Sequence, residues 1–436
     1  MEILSLPNTA AQAAIVEVAD TTHVFDNSTR TAARNVPGLR YKERFIPWGH
    51  DNRLPLRLRR LIGADEVTAQ NKLFNVLCAY GAGPHIDGTD ATRAAALLSH
   101  SNPQSFLLEQ LTDLKYYYCA LSVIILNRQG SQIVRIRHKE MAHVRLQEAD
   151  RQGRIRHAYY ADWDAPGGPQ TVERLTLLDL NDPLADLQTR LGYALSADGT
   201  RRVRTAERKF AILLRFPTPG AQYYPVPYYA AMFLGGSYDE KRLIAATKRA
   251  KMRNHASVKY QIEVNRDYWQ NLIAEERIND PLAAQERIKR EKENIRDFVA
   301  GVHNSGKAWI TGYYVDPQGH EVRDIRVVNI EGAKEGGDYA DETNVAANTL
   351  CYADNVHPSL VGAVPGKSSN TASGSDKREL YTMKQALETA WKDIALQPLR
   401  LMLQYNGLSA NISLPIIQLT TLDEHKDYST KTTQQQ

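Results

Sequence analysis

The sequence predicts an α+β fold, and three observations carry the prediction. Strand-type apolar runs bounded by turn residues, LSVIILN (121–127), QIVRIR (132–137) and FAILLRF (210–216), gather in the first half of the chain. Helical segments with apolar residues three and four positions apart stand on either side of them. Character changes at Pro217, beyond which helices dominate and strands are short. At 436 residues the chain has room for roughly two to three domains. A hydrophobic content of 42% supports true cores and excludes a disordered chain.

Residues 1–60 are loop-rich, and the cluster Arg53, Arg57, Arg59 and Arg60 reads as a solvated surface. Glu66–Tyr80 reads as a helix stopped by Gly81, a residue suited to a left-handed cap. A second helix spans about 104–118, with Leu107, Leu108, Leu111 and Leu114 at helical spacing. Arg128-Gln129-Gly130-Ser131 is a hairpin turn between 121–127 and 132–137. HVRLQ and RIRHAYY form a second hairpin around Asp150–Gly153.

Past the turn-rich TPGAQYYPVPYY, a helix begins near Pro227 and runs to about Asn254, with Gly235-Gly236 as its weak point. Its last turns hold Lys248, Arg249, Lys251 and Arg253, which suit the negative end of the helix dipole. A short strand (SVKYQIEV) and a highly charged helix (about 282–300) follow. AWITGYYV then pairs with EVRDIRVVN around Asp316-Pro317-Gln318-Gly319. A further helix covers about 339–354, and a loop of small polar residues fills 356–375. Structureless segments of about 20 residues are uncommon inside compact domains, so this loop is expected to face a cavity, a partner or a channel.

The loop leads into a long final helix. Leu380, Met383, Leu387, Trp391, Ile394 and Met402 are expected to form its one buried apolar stripe. Ser375 is the expected N-cap, with Asp376 and Glu379 in the first turn. Pro398 is expected to kink the helix, since its ring removes a backbone hydrogen bond and clashes with the preceding turn.

Composition narrows the function classes. Against 54 basic residues stand 50 acidic ones, so a net charge of +4 does not describe a nucleic-acid coat, and contact with an acidic polymer must be local. Cys78, Cys119 and Cys351 are far apart and lack zinc spacing, which fits a reduced, intracellular environment. The N-terminus lacks the pattern of a signal peptide, no apolar run of membrane-spanning length occurs, and there is no solenoid repeat. The tail KDYSTKTTQQQ is polar. The histidines show no metal-binding spacing, Glu275-Glu276 falls in a polar run, and no catalytic residue, metal site or cofactor is expected. GAVPGKSS (362–369) imitates a phosphate loop, but Gly362 and Gly366 enclose three residues where the pattern needs four, and no strand precedes it. The tyrosines 116–118, 223, 224, 228 and 229 read as core or interface packing rather than a base-stacking platform.

The order of these pieces resembles tailed-bacteriophage portal proteins over roughly residues 67 to 406. VLCAYGAGPHI is similar to the family's early helix ending at a glycine, and YYYCALSVIILNRQGSQIVRIRHKEMAHVRL to its hairpin-containing wing. AQYYPVPYYAAMFLGGSYDEKRLIAATKRAKMRNHA resembles the turn and helix that open the stem. RIKREKENIRDFVAGVHNSGKAWITGYYV, with Asn304–Lys307 leading into the strand, resembles the clip. DNVHPSLVGAVPGKSSNTASGSDKREL resembles the tunnel loop between two helices, and ALQPLRLMLQYN the end of the long helix behind it.

The resemblance implies a portal-like α+β architecture. Its expected parts are an N-terminal wing (1–216), a stem helix (217–253), a small α/β clip (254–335), a second stem helix (336–355), a tunnel loop (356–375), a long kinked wing helix (376–406) and a short strand-like segment with a polar tail (407–436). Because ISLPIIQLTTL is short and the chain compact, a reduced or absent crown and a reduced wing are expected. The family's function is a homo-oligomeric ring, typically of twelve subunits, at one capsid vertex of the virion. Such a ring would pass double-stranded DNA, meet the major capsid protein, and dock a terminase ATPase and later a head-to-tail adaptor, with assembly in the bacterial cytoplasm, no membrane and no enzymatic activity.

Sliding DNA needs sparse, sequence-independent phosphate contacts. The implied channel residues are Lys367, Ser368, Ser369 and Asn370, with Lys377 and Arg378 at the start of the last helix, where the dipole disfavours cations. An ordinary solvated loop lysine, and ion pairing with Asp376 or Glu379, are the plainer readings of these cations. The implied docking residues are Arg287, Lys289, Arg290, Lys292 and Arg296, on a helix that equally suits local ion pairs. The rival class is a nucleotide-dependent nucleic-acid enzyme of phage or mobile-element origin, resting on GAVPGKSS.

Overall fold

The computed structural model describes residues 32–37, 43–195, 199–200, 202–203, 205–254, 260–300, 312–315, 321–329, 340–361, 374–417 and 419. The chain separates into two compact units, a smaller one containing Arg242–Glu342 and a larger one containing Val18–Lys241 with Thr343–Gln436. The described elements begin with strands β1 (Arg34–Asn35) and β2 (Arg44–Ile46) and helices α1 (Leu54–Gly63) and α2 (Glu66–Tyr80). Strand β3 (His85–Asp87), helices α3 (Ala91–Ser99) and α4 (Pro103–Tyr117), and strands β4 (Cys119–Leu126) and β5 (Ile133–Lys139) come next. Strands β6 (Val144–Gln147), β7 (His157–Tyr160) and β8 (Glu173–Thr176), helix α5 (Pro183–Arg190) and strand β9 (Lys209–Arg215) complete the mixed region.

The central sheet of the larger unit has the order β5-β4-β9, all antiparallel. Seven of β4's eight residues are buried, because its two faces feed different cores. Ala120, Ile124 and Leu126 pack with Phe106, Leu107, Leu111 and Leu114 of α4. Cys119, Leu121 and Val123 pack with Trp48, Leu58 and Ile62 on the other side. A strand covered on both faces reads as a continuous apolar run, which is how LSVIILN reads. The expected hairpins over 121–137 and 143–160 are present, the second within a five-stranded sheet of order β1-β2-β6-β7-β8.

The α2 helix matches its expected bounds, with Asp65 accepting from Thr68 N at 2.8 Å as N-cap. Gly81 ends it at φ +57, where a Cβ would run into the carbonyl oxygen of Pro415. The tyrosine clusters mostly pack as expected: Tyr224 stacks on Trp48 at 4.3 Å, and the Tyr229 hydroxyl donates to the Tyr116 carbonyl. Tyr228 is the exception, 58% exposed.

Four expectations need correction. The helix read from Pro227 to Asn254 is a 3₁₀ turn (Tyr228–Ala230) and helix α6 (Ala231–Leu234), then helix α7 (Ser237–Asn254). The break falls at Gly235-Gly236, where Gly236 takes φ +81. In the smaller unit, strand β10 (Tyr260–Val264), helices α8 (Arg266–Glu275) and α9 (Pro281–Ala300) and strands β11 (Tyr313–Val315), β12 (Glu321–Arg323) and β13 (Ile325–Asn329) follow, and α8 has no counterpart in the reading above. EVRDIRVVN divides at Asp324: β12 pairs with β11, but β13 pairs with β10.

Helices α10 (Ala340–Ala353) and α11 (Pro358–Val361) lead to the last correction. The final helix is two, α12 (Gly374–Leu387) and α13 (Thr389–Tyr405), parted at Glu388 while Pro398 sits within α13. Ser375 therefore lies inside the first turn rather than before it. Strand β14 (Asn411–Ser413) then pairs with β3.

Candidate functional site: the flanks of residues 362–373 and their buried base

The implied tunnel-loop residues Lys367, Ser368, Ser369 and Asn370 lie outside the described residues. Lys377 is exposed and Arg378 half-buried, both in the first turns of α12. In the smaller unit, Lys289, Arg290 and Lys292 are exposed on α9, and of Arg296 only its place in that helix is described. Arg287 is not free to dock a partner, since it pairs with Glu276 and Glu291, each at 2.8 Å, and these bonds raise its pKa further. An open, mainly apolar groove of about 660 Å³ lies between α8 and α9, lined by Trp269, Ile273, Ile278 and Ile288.

The more informative region is the base from which residues 362–373 depart. The final helix buries only the later part of the expected stripe, with Met402 buried and Trp391 and Ile394 packed against the core. Met383 and Leu387 are 64% and 59% exposed, whereas Lys384, Gln385, Glu388 and Lys392 are buried. Helix α2 packs on this surface with the same inversion: Thr68, Asn71, Lys72 and Asn75 face inward while Leu73 and Leu77 are about half exposed. Two polar helix faces therefore meet in the interior, and buried polar groups persist there only if paired.

Most of these groups are paired. Lys72 Nζ bonds the Asp354 carboxylate and lies 3.0 Å from the centre of the Tyr229 ring. Asn75 Nδ2 donates to the Asp354 carbonyl at 3.0 Å. Lys384 Nζ donates to the Asn355 carbonyl at 3.0 Å and pairs with Glu388 at 2.9 Å. The other Glu388 oxygen takes Lys115, whose ammonium sits 4.0 Å from the Trp391 ring. Lys392 donates to Gln385 Oε1 at 3.3 Å and to the Leu414 carbonyl at 3.1 Å. Burial pushes Lys72 and Lys115 each down to about 8 against the pull of their carboxylate partners.

These residues were not singled out from sequence. A signal did exist: Lys384, Glu388 and Lys392 stand four apart, a second stripe that continues into Ala395 and Leu399. Which stripe is buried depends on the partner helix, and periodicity does not report that.

The arrangement offers little for catalysis. Asp113, His138 and Ser122 come together, with His138 Nε2 at 2.9 Å from Asp113 Oδ2. The Gln110 amide stands between the imidazole (3.0 Å) and Ser122 Oγ (2.7 Å), so no base reaches the hydroxyl. The group is buried between α4 and the sheet, with no room for a substrate. Among the described residues, no three His, Cys, Asp or Glu side chains are placed to hold a metal ion. Also among them, no helix is long and apolar enough to cross a membrane.

No protein-family model and no curated protein matches this sequence. Solved structures do match in fold. A chain from the neck of a native GTA particle computed with C12 symmetry aligns with TM-score 0.53 at 13% identity, covering 82% of this chain and 83% of the other. A chain from the neck of an empty GTA particle computed with C6 symmetry gives TM-score 0.53 at 14% identity, over 87% and 85%. A chain from the virion of a native gene transfer agent particle gives 0.51 at 12% identity, over 90% and 88%. The mixed helix-and-sheet fold of this chain is thus shared, over most of both lengths, with structural components of phage-like particles.

Proposed function

We propose that this chain is a portal protein of a tailed phage or phage-like particle. Twelve copies close a ring at one vertex of the virion, set in the major capsid protein. The ring passes double-stranded DNA during packaging and ejection, and it docks first a terminase ATPase and then a head-to-tail adaptor. It is a conduit with no catalytic activity, cofactor or membrane contact of its own.

The observation that carries this reading is the fold likeness, over 82% and 87% of this chain, to neck chains of particles solved with C12 and C6 symmetry. The surface agrees with it. A closed ring needs a head-to-tail contact, and the outward Leu73, Leu77, Met383 and Leu387 are the kind of apolar surface such a contact buries. Residues 362–373 and the first turns of α12 remain the proposed channel face, with Lys367, Lys377 and Arg378 brushing the phosphate backbone. Lys289, Arg290, Lys292 and Arg296 remain the proposed docking cations, now without Arg287.

Negative-stain electron microscopy of the purified protein tests the reading. Class averages showing rings with a hole wide enough for duplex DNA are expected. Small compact particles that stay unassembled with scaffold and capsid proteins present would overturn it.

A further inference from the structure

We propose that the buried lysine–carboxylate network is a latch that fastens the two flanks of residues 362–373 to each other and to α4, so that both flanks loosen together when Lys384 is removed. Only its consequence for a channel rests on the portal reading.

Three observations build the latch. Lys384 closes a span of 29 positions by donating to the Asn355 carbonyl, joining the chain before the segment to the chain after it. Asn355 is a non-glycine residue at φ +54, so its carbonyl is aimed by a left-handed turn at the end of α10 rather than by helix geometry. Glu388 holds Lys384 with one oxygen and Lys115 of α4 with the other, at the point where α12 and α13 part. Two residues earlier on α4, Asp113 accepts from Met141 N at 2.6 Å and pairs with His138, which ties the same helix to the sheet region.

The base joins directed polar bonds to the apolar contacts of residues such as Val76, Leu350 and Val356. Among the described residues, Lys72, Lys115, Lys384 and Lys392 face only Asp354 and Glu388 as charged partners. Asp354 Oδ2, Asn71 Nδ2 and Asn75 Oδ1 are buried and make no hydrogen bond among the described residues. A buried polar network of this kind has discrete arrangements and loses several bonds when one member leaves. Apolar packing would instead relax locally.

Hydrogen–deuterium exchange by mass spectrometry on the full chain decides it. In Lys384→Met, peptides covering 343–361 and 374–387 are expected to exchange about tenfold or more faster, as loss of one partner of a buried pair predicts. Peptides over 119–126 and 209–215 should keep their wild-type rates, and Lys384→Arg should restore slow exchange at both flanks. Acceleration of one flank only, of neither, or equally in the Arg variant would overturn the latch. Should Lys384→Met not fold, Glu388→Gln reads the same way: both flanks faster supports the latch, one or none refutes it. Absence of rings by microscopy even with scaffold and capsid proteins present would remove the portal reading and leave this result untouched.

Discussion

The charge balance of the buried network makes an asymmetric prediction. Its lysines outnumber its carboxylates, and burial already holds Lys72 and Lys115 at about 8. In Glu388→Gln the shape is kept, but Lys115 and Lys384 lose their shared anion. Removing one partner of a buried pair costs about 3–5 kcal/mol, and the glutamine oxygen still accepts one bond, so about 3 kcal/mol is expected. For a unit of this size that lowers Tm by about 5–10 °C. Lys115→Met removes a cation the interior tolerates poorly, leaves Glu388 with Lys384, and fills similar volume against Trp391. Its cost is expected to stay within about 1 kcal/mol. Thermal melts followed by circular dichroism at pH 7.5, with the double variant to close the cycle, compare the two. Equal losses, or a larger loss in Lys115→Met, would refute the view that this interior carries surplus positive charge.

Three further outcomes follow from the same geometry. A lysine whose folded pKa of about 8 lies below its ordinary 10.5 binds its proton less tightly when folded, so Lys72 and Lys115 should make Tm rise from pH 7.5 to about 8.5. The thiols of Cys78, Cys119 and Cys351, raised by burial, oppose this above pH 9, and a Tm falling throughout the window in wild type would contradict the assignment. Gly81→Ala meets both a positive φ and the Pro415 carbonyl, so a loss above about 1 kcal/mol in urea unfolding is expected, and a neutral result would refute that close approach. Met383→Ser and Leu387→Ser should each change monomer stability by less than about 0.5 kcal/mol, because both side chains are exposed. A core-sized loss of about 2 kcal/mol or more in the same unfolding assay would reinstate the stripe read from sequence.

The parts of the fold legible in the sequence are those where one element settles its own environment. The β4–β5 hairpin declares itself through its turn residues and two-sided apolar strand, and α2 through Asp65 and Gly81 at its ends. The illegible parts are those where a partner decides. Residues 321–329 carry one continuous strand pattern, yet change partner at Asp324, since pairing depends on β10 arriving from sixty residues earlier in the chain. Gly235-Gly236 was visible as a weak point, but whether a weak point bends or breaks a helix is set by packing on both sides of it. Of the implied site residues, the loop residues 367–370 fall outside the described residues, and Arg287 is taken up by its own neighbours.

The inversion of α2 and α12 shows most clearly what periodicity leaves out. Each helix has two candidate stripes, and in isolation the apolar one should turn inward. Here each turns its leucines outward because the turn after α10 and the α12–α13 junction supply the polar partners: Lys72 of α2 needs Asp354, Lys384 of α12 needs Asn355 and Glu388, and Lys115 of α4 needs Glu388 as well. Neither helix would choose this face alone, since an unpaired buried lysine costs more than an exposed leucine loses. The choice is made jointly, across about 280 positions of sequence in the Lys72–Asp354 pair, and that is why it leaves no local signature. The same joint choice leaves Leu73, Leu77, Met383 and Leu387 on the outside, so the polar base of the proposed channel segment and the apolar surface proposed for ring contact are two faces of one packing decision.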